Sequence, residues 1–403
     1  MKILVLTKKF PFPLKDGESI AVTNMTSSLA TQGCDLHLLS MNTVKHWVNV
    51  DEIREQYNHF SHIETVRLDN RVSVFGALKN ILTKKSYHIS RFVFDDYAQK
   101  LTRLLQNNKY DIVQLETLYL APYIEVIKSI DPSIKIVMRS HNIEYEIWER
   151  IASNTSNPLK KWYLNLQTQR LKAFDISMIG KYDGLLTVTE RDRKHYLQLG
   201  SRCASLTMPI GLEISNYLSA DINPGYDLSF IGSLDWEPNL EGLRWFLKSI
   251  WPIVSKQYPQ LKLHIAGRNT PIEIKKLNSD RIVVHGEVDD AHVFLKQYPI
   301  TIVPLLSGSG MRVKIVEGMA LGRVVLSTTI GAEGIDARHN DEIVLADQPA
   351  EFVKAISTLL DDHDKQIRIG KNARSFIEEN FDQSKNTHQL IEFYRALIQG
   401  SEL

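Results

Sequence analysis

Short runs of apolar residues alternate along the chain with longer stretches in which apolar positions recur every three or four residues. The first run, KILVLT (2–7), precedes a helical pattern over about 18–31 in which Ile20, Met25 and Leu29 share one face. Further runs typical of buried strands occupy 35–40, 63–68, 111–116, 134–140 and 184–189. Strands and helices that alternate at this spacing predict a parallel sheet with helices on both faces.

The pattern pauses between about 206 and 226 and then starts again. The pause contains two prolines and two glycines and has little periodicity, which is typical of a linker between domains. A second set of runs that predict strands occupies 226–233, 261–267, 281–286, 300–305, 324–328 and 342–346. The fold class is therefore α/β, with two doubly wound, Rossmann-like domains facing each other across a cleft and a helical C-terminal segment.

The length of 403 residues fits this division, because one ordinary hydrophobic core rarely organises a chain of that size. The predicted segments are an N-terminal domain at 1–208, a linker at 209–225, a C-terminal domain at 226–380 and a final helix at 381–403 that is able to pack back on the N-terminal domain. Ligands bind doubly wound sheets at the carboxyl ends of the strands. The loops that follow the strands are therefore where the chemistry is expected.

Composition excludes several classes of protein. Lys and Arg total 48 against 47 Asp and Glu, and a net charge of +1 argues against a general nucleic-acid binder. The two cysteines, Cys34 and Cys203, exclude a disulfide scaffold and a cysteine-rich zinc site and fit reduced thiols. No apolar run approaches the ~18 residues that span a bilayer, and the run at 3–6 is too short for a signal peptide. We therefore expect a cytoplasmic protein.

The strongest chemical signal lies in PLLSGSGMRVKIVEGMALGRVVLSTTIGAEGID (304–336). A strand is predicted to end there in a turn of serines and glycines, followed by a helix over about 311–322. Glycines let a ligand approach backbone N–H groups, and the N-terminus of a helix carries partial positive charge. Arg312 and Lys314 add two cations where cations are otherwise unfavourable, which predicts an anion such as a diphosphate. Glu317 is placed to accept hydrogen bonds from paired hydroxyls such as those of a ribose.

This segment resembles the donor-binding signature of retaining glycosyltransferases of family 4, which have the GT-B fold. The family form is roughly a proline, a glycine-containing loop, a basic residue, Glu-Ala-Met-Ala, Gly-x-Pro-Val and a later glycine. The matching residues are Pro304, Gly308, Gly310, Arg312, Lys314, Glu317-Gly318-Met319-Ala320, Gly322, Val324 or Val325, Gly331 and Glu333-Gly334. Similarity to the family extends to KILVLTKKFPFPLKDGES at the N-terminus, SHNIE (140–144), FIGSLDWEPN (230–239) and GKNAR (370–374).

The resemblance implies a role for each matched residue. Arg312 and Lys314 would hold the donor diphosphate and assist catalysis, and Glu317 would bind the nucleotide ribose. From the N-terminal domain, Gly17 would let its loop approach the diphosphate, and the catalytic His141 would lie beside the transferred sugar. The remaining implied donor-binding residues are Gly232, Ser309, Gly310 and Glu333.

The chain departs from the family form in ways that bear on the substrate. Ser309 replaces the first glutamate of the family's paired-glutamate motif, a position that touches the donor sugar, so the identity of that sugar stays open. Many members also carry Arg and Lys after the strand that opens the second domain. Here Gly232 is followed by Ser-Leu-Asp, and Arg312 and Lys314 are expected to supply that charge. Asp235 and Trp236 either flank the cleft or have a structural role, and the structural role fits them best.

The resemblance implies a retaining glycosyltransferase that moves a sugar from a UDP- or GDP-linked donor to a glycan or lipid-linked acceptor, without a metal or resident cofactor. Bacterial polysaccharide or glycolipid synthesis is the implied context. Two alternatives stay open: a GT-B sugar-nucleotide epimerase, and a catalytically inactive nucleotide-sugar-binding partner subunit, which Ser309 favours. Mixed basic and apolar residues at 78–94 and 162–174 indicate either peripheral contact with the inner membrane face or core-facing helices with a solvated basic side.

Overall fold

The structure is a computed structural model that describes residues 1–14, 17–217, 223–308 and 311–401. The chain divides into two compact units. Unit 1 comprises Met1–Gly211 together with Gln383–Leu403, and unit 2 comprises Leu212–Asp382. Most of the segment that the sequence assigns to a linker thus lies in unit 2, and the C-terminal helix belongs to unit 1.

Unit 1 contains a seven-stranded sheet in which all paired strands are parallel. The strands are β1 (Lys2–Thr7), β2 (Asp35–Thr43), β3 (His62–Leu68), β4 (Ile112–Leu115), β5 (Lys135–Ser140), β6 (Gly184–Thr187) and β7 (Ala204–Thr207). Their spatial order is β3-β2-β1-β4-β5-β6-β7. Because the order reverses between β1 and β4, the carboxyl ends of these strands form the switch point at which doubly wound sheets bind ligands.

Helices cover both faces of this sheet, which explains why its central strands are buried and largely apolar. They are α1 (Gly17–Thr31), α2 (Val50–Ile53), α3 (Val74–Ile81), α4 (Tyr87–Ser90), α5 (Asp95–Asn107), α6 (Ile124–Ile130), α7 (Glu144–Ser153), α8 (Pro158–Met178), α9 (Glu190–Gln198) and, from the end of the chain, α17 (Gln383–Gln399). Leu390 and Tyr394 of α17 are fully buried in the same apolar cluster as Ile3 and Val5 of β1. The C-terminal helix is therefore part of the core of unit 1.

Unit 2 repeats this architecture with six parallel strands in the order β10-β9-β8-β11-β12-β13. The strands are β8 (Leu228–Ile231), β9 (Leu263–Ala266), β10 (Ile282–Gly286), β11 (Ile300–Val303), β12 (Val324–Ser327) and β13 (Val344–Leu345). The helices are α10 (Glu237–Ser249), α11 (Trp251–Gln257), α12 (Ile272–Lys275), α13 (Ala291–Lys296), α14 (Val313–Ala320), α15 (Pro349–Asp361) and α16 (His363–Asn380). The switch point of this sheet lies between β8 and β11.

The structure confirms the predicted α/β class with two Rossmann-like sheets and differs from the sequence reading in detail. Strand β7 was not predicted, because its four residues, ASLT, are only partly buried and lie at the edge of the sheet. Helix α14 begins at Val313 rather than near Met311. Arg312 is therefore the residue before the helix and not, as predicted, part of its first turn. None of the described helices is long and apolar enough to cross a membrane.

Candidate functional site

Arg312 lies at the switch point of unit 2, immediately before α14, and only 6% of its surface is exposed. The guanidinium carbon lies 5.6 Å from the centroid of the Trp236 ring, a cation–π contact that orients the side chain. Gly308 packs against both residues: a Cβ there would lie 2.9 Å from Nη2 of Arg312 and 3.1 Å from the Trp236 ring. Its φ of 115° also favours glycine. The contact between Trp236 and Arg312 was not predicted from the sequence, where a structural role for Trp236 was preferred to a position flanking the cleft.

Lys314 lies in the first turn of α14, and its ammonium group reaches back to the end of β8. Its Nζ donates hydrogen bonds to the carbonyl oxygen of Ile231 and to Oδ1 of Asn239, both at 2.9 Å. Gly232 leaves room for this arrangement, since a Cβ there would lie 3.0 Å from Nζ. Burial, reinforced by the charge of Arg312, lowers the pKa of Lys314 to about 7. An anion bound beside it would favour its charged form.

Glu317 follows on the same helix and is partly buried. Burial raises the pKa of Glu317 to about 7. The hydrogen bond donated by the Tyr217 hydroxyl lowers this pKa, and the charge of Asp290 raises it further. The Tyr217 ring meets His292 edge to face, with 4.8 Å between ring centroids. Tyr217 lies in a segment that the sequence reads as linker, so its role beside Glu317 was not predicted.

The remaining predicted residues of unit 2 occupy loops after the strands. Gly232 follows β8, and its N–H donates a hydrogen bond to the carbonyl oxygen of Ala266 at 3.1 Å. The neighbouring Gly267 has no room for a side chain, since a Cβ there would lie 2.2 Å from the carbonyl oxygen of Gly232. Glu333 lies in the turn after β12 and is partly buried. Ser309 and Gly310, which the sequence analysis placed in the donor site, lie outside the described residues. The structure thus brings Gly232, Arg312, Lys314 and Glu317 to the region of one switch point.

In unit 1, His141 follows β5, and its Nε2 lies 2.9 Å from Oε2 of Glu116. Glu116 follows β4 and is fully buried. Arg139, on β5 and 1% exposed, places Nη1 3.4 Å from the same carboxylate oxygen. His141 was predicted as a site residue, but Glu116 was not, because its position at the end of the apolar run DIVQLE gives no signal of its own.

Glu116 keeps its charge despite complete burial. Burial by itself raises the pKa of Glu116, but the charge of Arg139 and the hydrogen bond with His141 outweigh burial and leave the pKa below its ordinary value. Gly17, the other predicted residue of unit 1, is the first residue of α1. Among the described residues, a Cβ at Gly17 would meet only an Ile210 side-chain atom, at 4.0 Å.

These arrangements define what each unit can bind. Unit 2 offers a buried guanidinium, a buried ammonium and a carboxylate around the start of one helix, a set suited to a diphosphate and a vicinal diol. Unit 1 offers an imidazole held by a carboxylate. In the part of the chain that the structure describes, no group of three or more His, Cys, Asp or Glu side chains is arranged to hold a metal ion.

Comparison with known proteins agrees with the chemistry of unit 2. Residues 225–362 match the family model for glycosyl transferases group 1. The matched segment contains β8 to β13 together with Arg312, Lys314 and Glu317. A Klebsiella pneumoniae relative, an uncharacterized 44.6 kDa protein in the cps region, is 24% identical over 95% of this chain and 97% of its own.

Solved structures of glycosyltransferases share the fold of the whole chain. HepE of Anabaena in complex with UDP superposes with a TM-score of 0.69 at 14% identity, over 98% of this chain and 100% of that one. Its complex with UDP-glucose has a TM-score of 0.66 at 15% identity, with the same coverage. Sucrose-phosphate synthase from Thermosynechococcus elongatus superposes with a TM-score of 0.68 at 15% identity, over 100% of both chains. At these identities the comparison shows the fold, GT-B.

Proposed function

We propose that this protein is a retaining glycosyltransferase that transfers a sugar from a nucleoside-diphosphate sugar to an acceptor hydroxyl. The observation that carries the proposal is the set Arg312, Lys314 and Glu317 at the switch point of unit 2, within the segment that matches the family model for glycosyl transferases group 1. HepE, of the same fold, has been solved with UDP and with UDP-glucose, which supports a UDP-linked donor. A GDP-linked donor is the alternative that the experiment below separates.

In this proposal, unit 2 binds the donor and unit 1 receives the acceptor. Arg312 and Lys314 hold the diphosphate and stabilise the charge that develops on it as the glycosidic bond breaks. Glu317 accepts hydrogen bonds from the ribose hydroxyls. His141 meets a hydroxyl of the transferred sugar, and the acceptor attacks from the face that the diphosphate leaves, which retains the configuration. We propose that no metal ion takes part, since the two cations supply the positive charge.

We further propose that the acceptor is a glycan or a lipid-linked saccharide in bacterial polysaccharide or glycolipid synthesis. The K. pneumoniae relative is a protein of a cps region, which supports this class of acceptor. We propose a cytoplasmic location. The free thiols of Cys34 and Cys203 fit a reducing compartment.

Nucleotide binding tests the donor site directly. We expect one of UDP, GDP, ADP and CMP, at about 1 mM, to raise the melting temperature of the wild-type protein. A ligand at about 100 times its Kd stabilises the folded state by roughly 2.7 kcal/mol. The Glu317→Ala variant should respond clearly less to the same nucleotide. The sugar derivatives of that nucleotide are then screened for release of the nucleoside diphosphate in the presence of acceptor extracts.

The outcomes separate the proposal from its alternatives. No thermal shift with any nucleotide would contradict the assigned donor site. A shift without release from any sugar nucleotide would instead favour the inactive, nucleotide-sugar-binding partner subunit. Release of free 2-epimerised sugar nucleotide without transfer would favour the epimerase.

We also propose that unit 1 contacts an anionic membrane surface. Helices α3 and α8 are joined through Asn80, which accepts hydrogen bonds from Arg170 at 3.0 Å and from Gln167 at 2.9 Å. Apolar side chains project into solvent from these helices and their ends. They are Phe75 (79% exposed), Leu82 (91%), Leu159 (80%) and Trp162 (56%). Exposed lysines accompany them at positions 84, 85, 160 and 161. Apolar side chains flanked by cations bind anionic bilayers.

Replacing two of these apolar residues is expected to weaken membrane binding. The variant Phe75→Ser with Leu82→Ser should co-sediment with vesicles of phosphatidylglycerol and phosphatidylcholine about tenfold less well than the wild type, because two exposed apolar groups no longer insert. Ile272→Ser, which replaces a 71% exposed residue of unit 2, is the matched control and should bind like the wild type. Equal binding of the double variant, or equal binding of the wild type to purely zwitterionic vesicles, would contradict the proposal.

A further inference from the structure

His141 is held by a buried carboxylate that has no part in the function proposed above. We propose that Glu116 is a positioning residue, which holds His141 in a single tautomer with Nε2–H bound to the carboxylate and Nδ1 presented to a substrate hydroxyl. What His141 meets rests on the proposed function. The tautomer itself does not, and it can be measured independently of any activity.

The pairing of two neighbouring strands places the three groups together. In the parallel register of β4 and β5, Leu115 pairs with Met138, so the next residues, Glu116 and Arg139, emerge side by side at the carboxyl ends. His141 follows two residues later and reaches the carboxylate at 2.9 Å. Because the strands lie in the centre of the sheet, the carboxylate can move little.

A second chain of hydrogen bonds fixes the other carboxylate oxygen. The amide nitrogen of Gln114 donates to Oε1 of Glu116, and the hydroxyl of Tyr394 donates to Oε1 of Gln114. An ionised carboxylate only accepts, so the amide nitrogen of Gln114 must face Glu116, and the Tyr394 hydroxyl holds the amide in this orientation by donating to its oxygen. Tyr394 belongs to α17 and is fully buried. The C-terminal helix therefore helps to orient a residue at the switch point of unit 1.

The charge of Arg139 keeps Glu116 ionised, and this determines which nitrogen of His141 carries a proton. The guanidinium of Arg139 offsets the buried charge of Glu116 and also donates to the carbonyl oxygen of Ala21 at 3.2 Å. An ionised carboxylate only accepts hydrogen bonds, so His141 must donate from Nε2. Neutral His141 then carries its lone pair on Nδ1. None of the described residues forms a hydrogen bond with Nδ1.

The consequence for the proposed reaction is a preoriented acceptor. An imidazole ring that is already in the required tautomer and rotamer can accept a hydrogen bond from a sugar hydroxyl without reorienting. A ring that is not held by Glu116 also populates unproductive tautomers and rotamers. Loss of Glu116 is therefore expected to act mainly on kcat and to leave donor binding, which the residues of unit 2 provide, nearly unchanged.

The tautomer is measured by long-range proton–nitrogen correlation spectra of the full-length protein labelled with 15N-histidine. His141→Asn identifies the signals of His141. At about pH 8 we expect the pattern of a ring protonated at Nε2 alone. A ring protonated at Nδ1, or a rapidly exchanging mixture, would overturn the proposal whether or not the protein is active.

Kinetics test the positioning role once a donor is known. Glu116→Gln combined with Arg139→Met removes both charges of the buried pair and is expected to lower kcat about 10- to 100-fold while KM for the donor changes less than about twofold. In a His141→Ala background the same double change should cost less than about twofold, because its effect runs through the imidazole. An equal loss with and without His141 would overturn the positioning role and leave a structural one.

A milder variant covers the case in which the double variant does not fold. Tyr394→Phe removes the hydroxyl that orients Gln114 and should lower kcat severalfold at unchanged KM for the donor. Tyr97→Phe is the matched control: it removes another fully buried hydroxyl, which donates to the carbonyl oxygen of Leu39 at 3.0 Å, remote from Glu116 in the hydrogen-bond network. Equal kcat values for the two variants would contradict the role of Tyr394. Absence of turnover in the wild type would count against the proposed function and leave the tautomer measurement in force.

Discussion

Arg312→Ala is expected to lower kcat/KM for the donor by about 100- to 1,000-fold, the cost of removing one preorganised group that stabilises developing negative charge. The guanidinium is buried, is held over the Trp236 ring and lies just before the N-terminus of α14. A desolvated cation in that position interacts with a diphosphate far more strongly than an exposed one. Steady-state kinetics with the donor identified by the thermal-shift screen measure the effect.

Two further variants locate the origin of that effect. Arg312→Lys keeps the charge but loses the planar fork and the stacking on Trp236, so it should recover only part of the lost activity. Arg244→Ala is the matched control, since Arg244 lies on α10 of the same unit and pairs with Glu273 in an exposed ion pair. Its activity should stay within about twofold of the wild type. If Arg312→Ala retained near-normal kcat/KM, the diphosphate site would lie elsewhere.

Glu317→Gln is expected to weaken nucleotide binding and at the same time to stabilise the free protein above pH 7. Its folded-state pKa of about 7 lies above its ordinary value of 4.5. The folded state therefore binds more protons than the unfolded state between these values, and stability falls as the pH rises through that window. At about pH 8 the buried charge of Glu317 lowers the free energy of unfolding by its full amount. Replacing the carboxylate with a neutral amide should raise the free energy of unfolding by roughly 1–3 kcal/mol. At about pH 4 the gain should vanish.

The measurement is urea denaturation of the free variant and wild type at both pH values, with nucleotide affinity measured in parallel. Glu237→Gln, an exposed carboxylate of α10, is the control and should leave both quantities unchanged. A variant that was less stable than the wild type at pH 8 would contradict the buried-charge account. A variant with unchanged nucleotide affinity would contradict the role of Glu317 in binding the ribose.

The same two groups predict how donor affinity depends on pH. Binding of a diphosphate favours charged Lys314, whose pKa in the free protein is about 7, and binding of a ribose favours ionised Glu317, whose pKa is also about 7. Above this pH the lysine must take up a proton on binding, and below it the carboxyl group must release one. Affinity is therefore highest near pH 7 in the wild type, and Glu317→Gln loses the acidic limb of the profile.

Local pattern was enough to predict most of the fold. The run KILVLT coincides with β1, and every predicted strand is present. Most of these strands are buried, and buried parallel strands are rich in apolar residues and bounded by turn residues. The edge strand of a sheet and the first residue of a helix were less predictable. Strand β7 was missed since its partly buried residues carry little pattern, and the start of α14 was misplaced by two residues because the glycine-rich turn before it has no helical signal of its own.

The sequence by itself determined the two-sheet α/β architecture and the positions of Arg312, Lys314, Glu317 and His141, because spacing along one segment and the carboxyl ends of strands are local properties. Only the tertiary structure decided which other side chains contact and orient these residues. Trp236 meets Arg312, Tyr217 meets Glu317, and Glu116 meets His141 through contacts between segments that are distant in the chain. Tyr394 is the extreme case, since a helix at the end of the chain completes a network built on β4. Burial and pairing of this kind depend on where the chain folds back, and no local pattern encodes that.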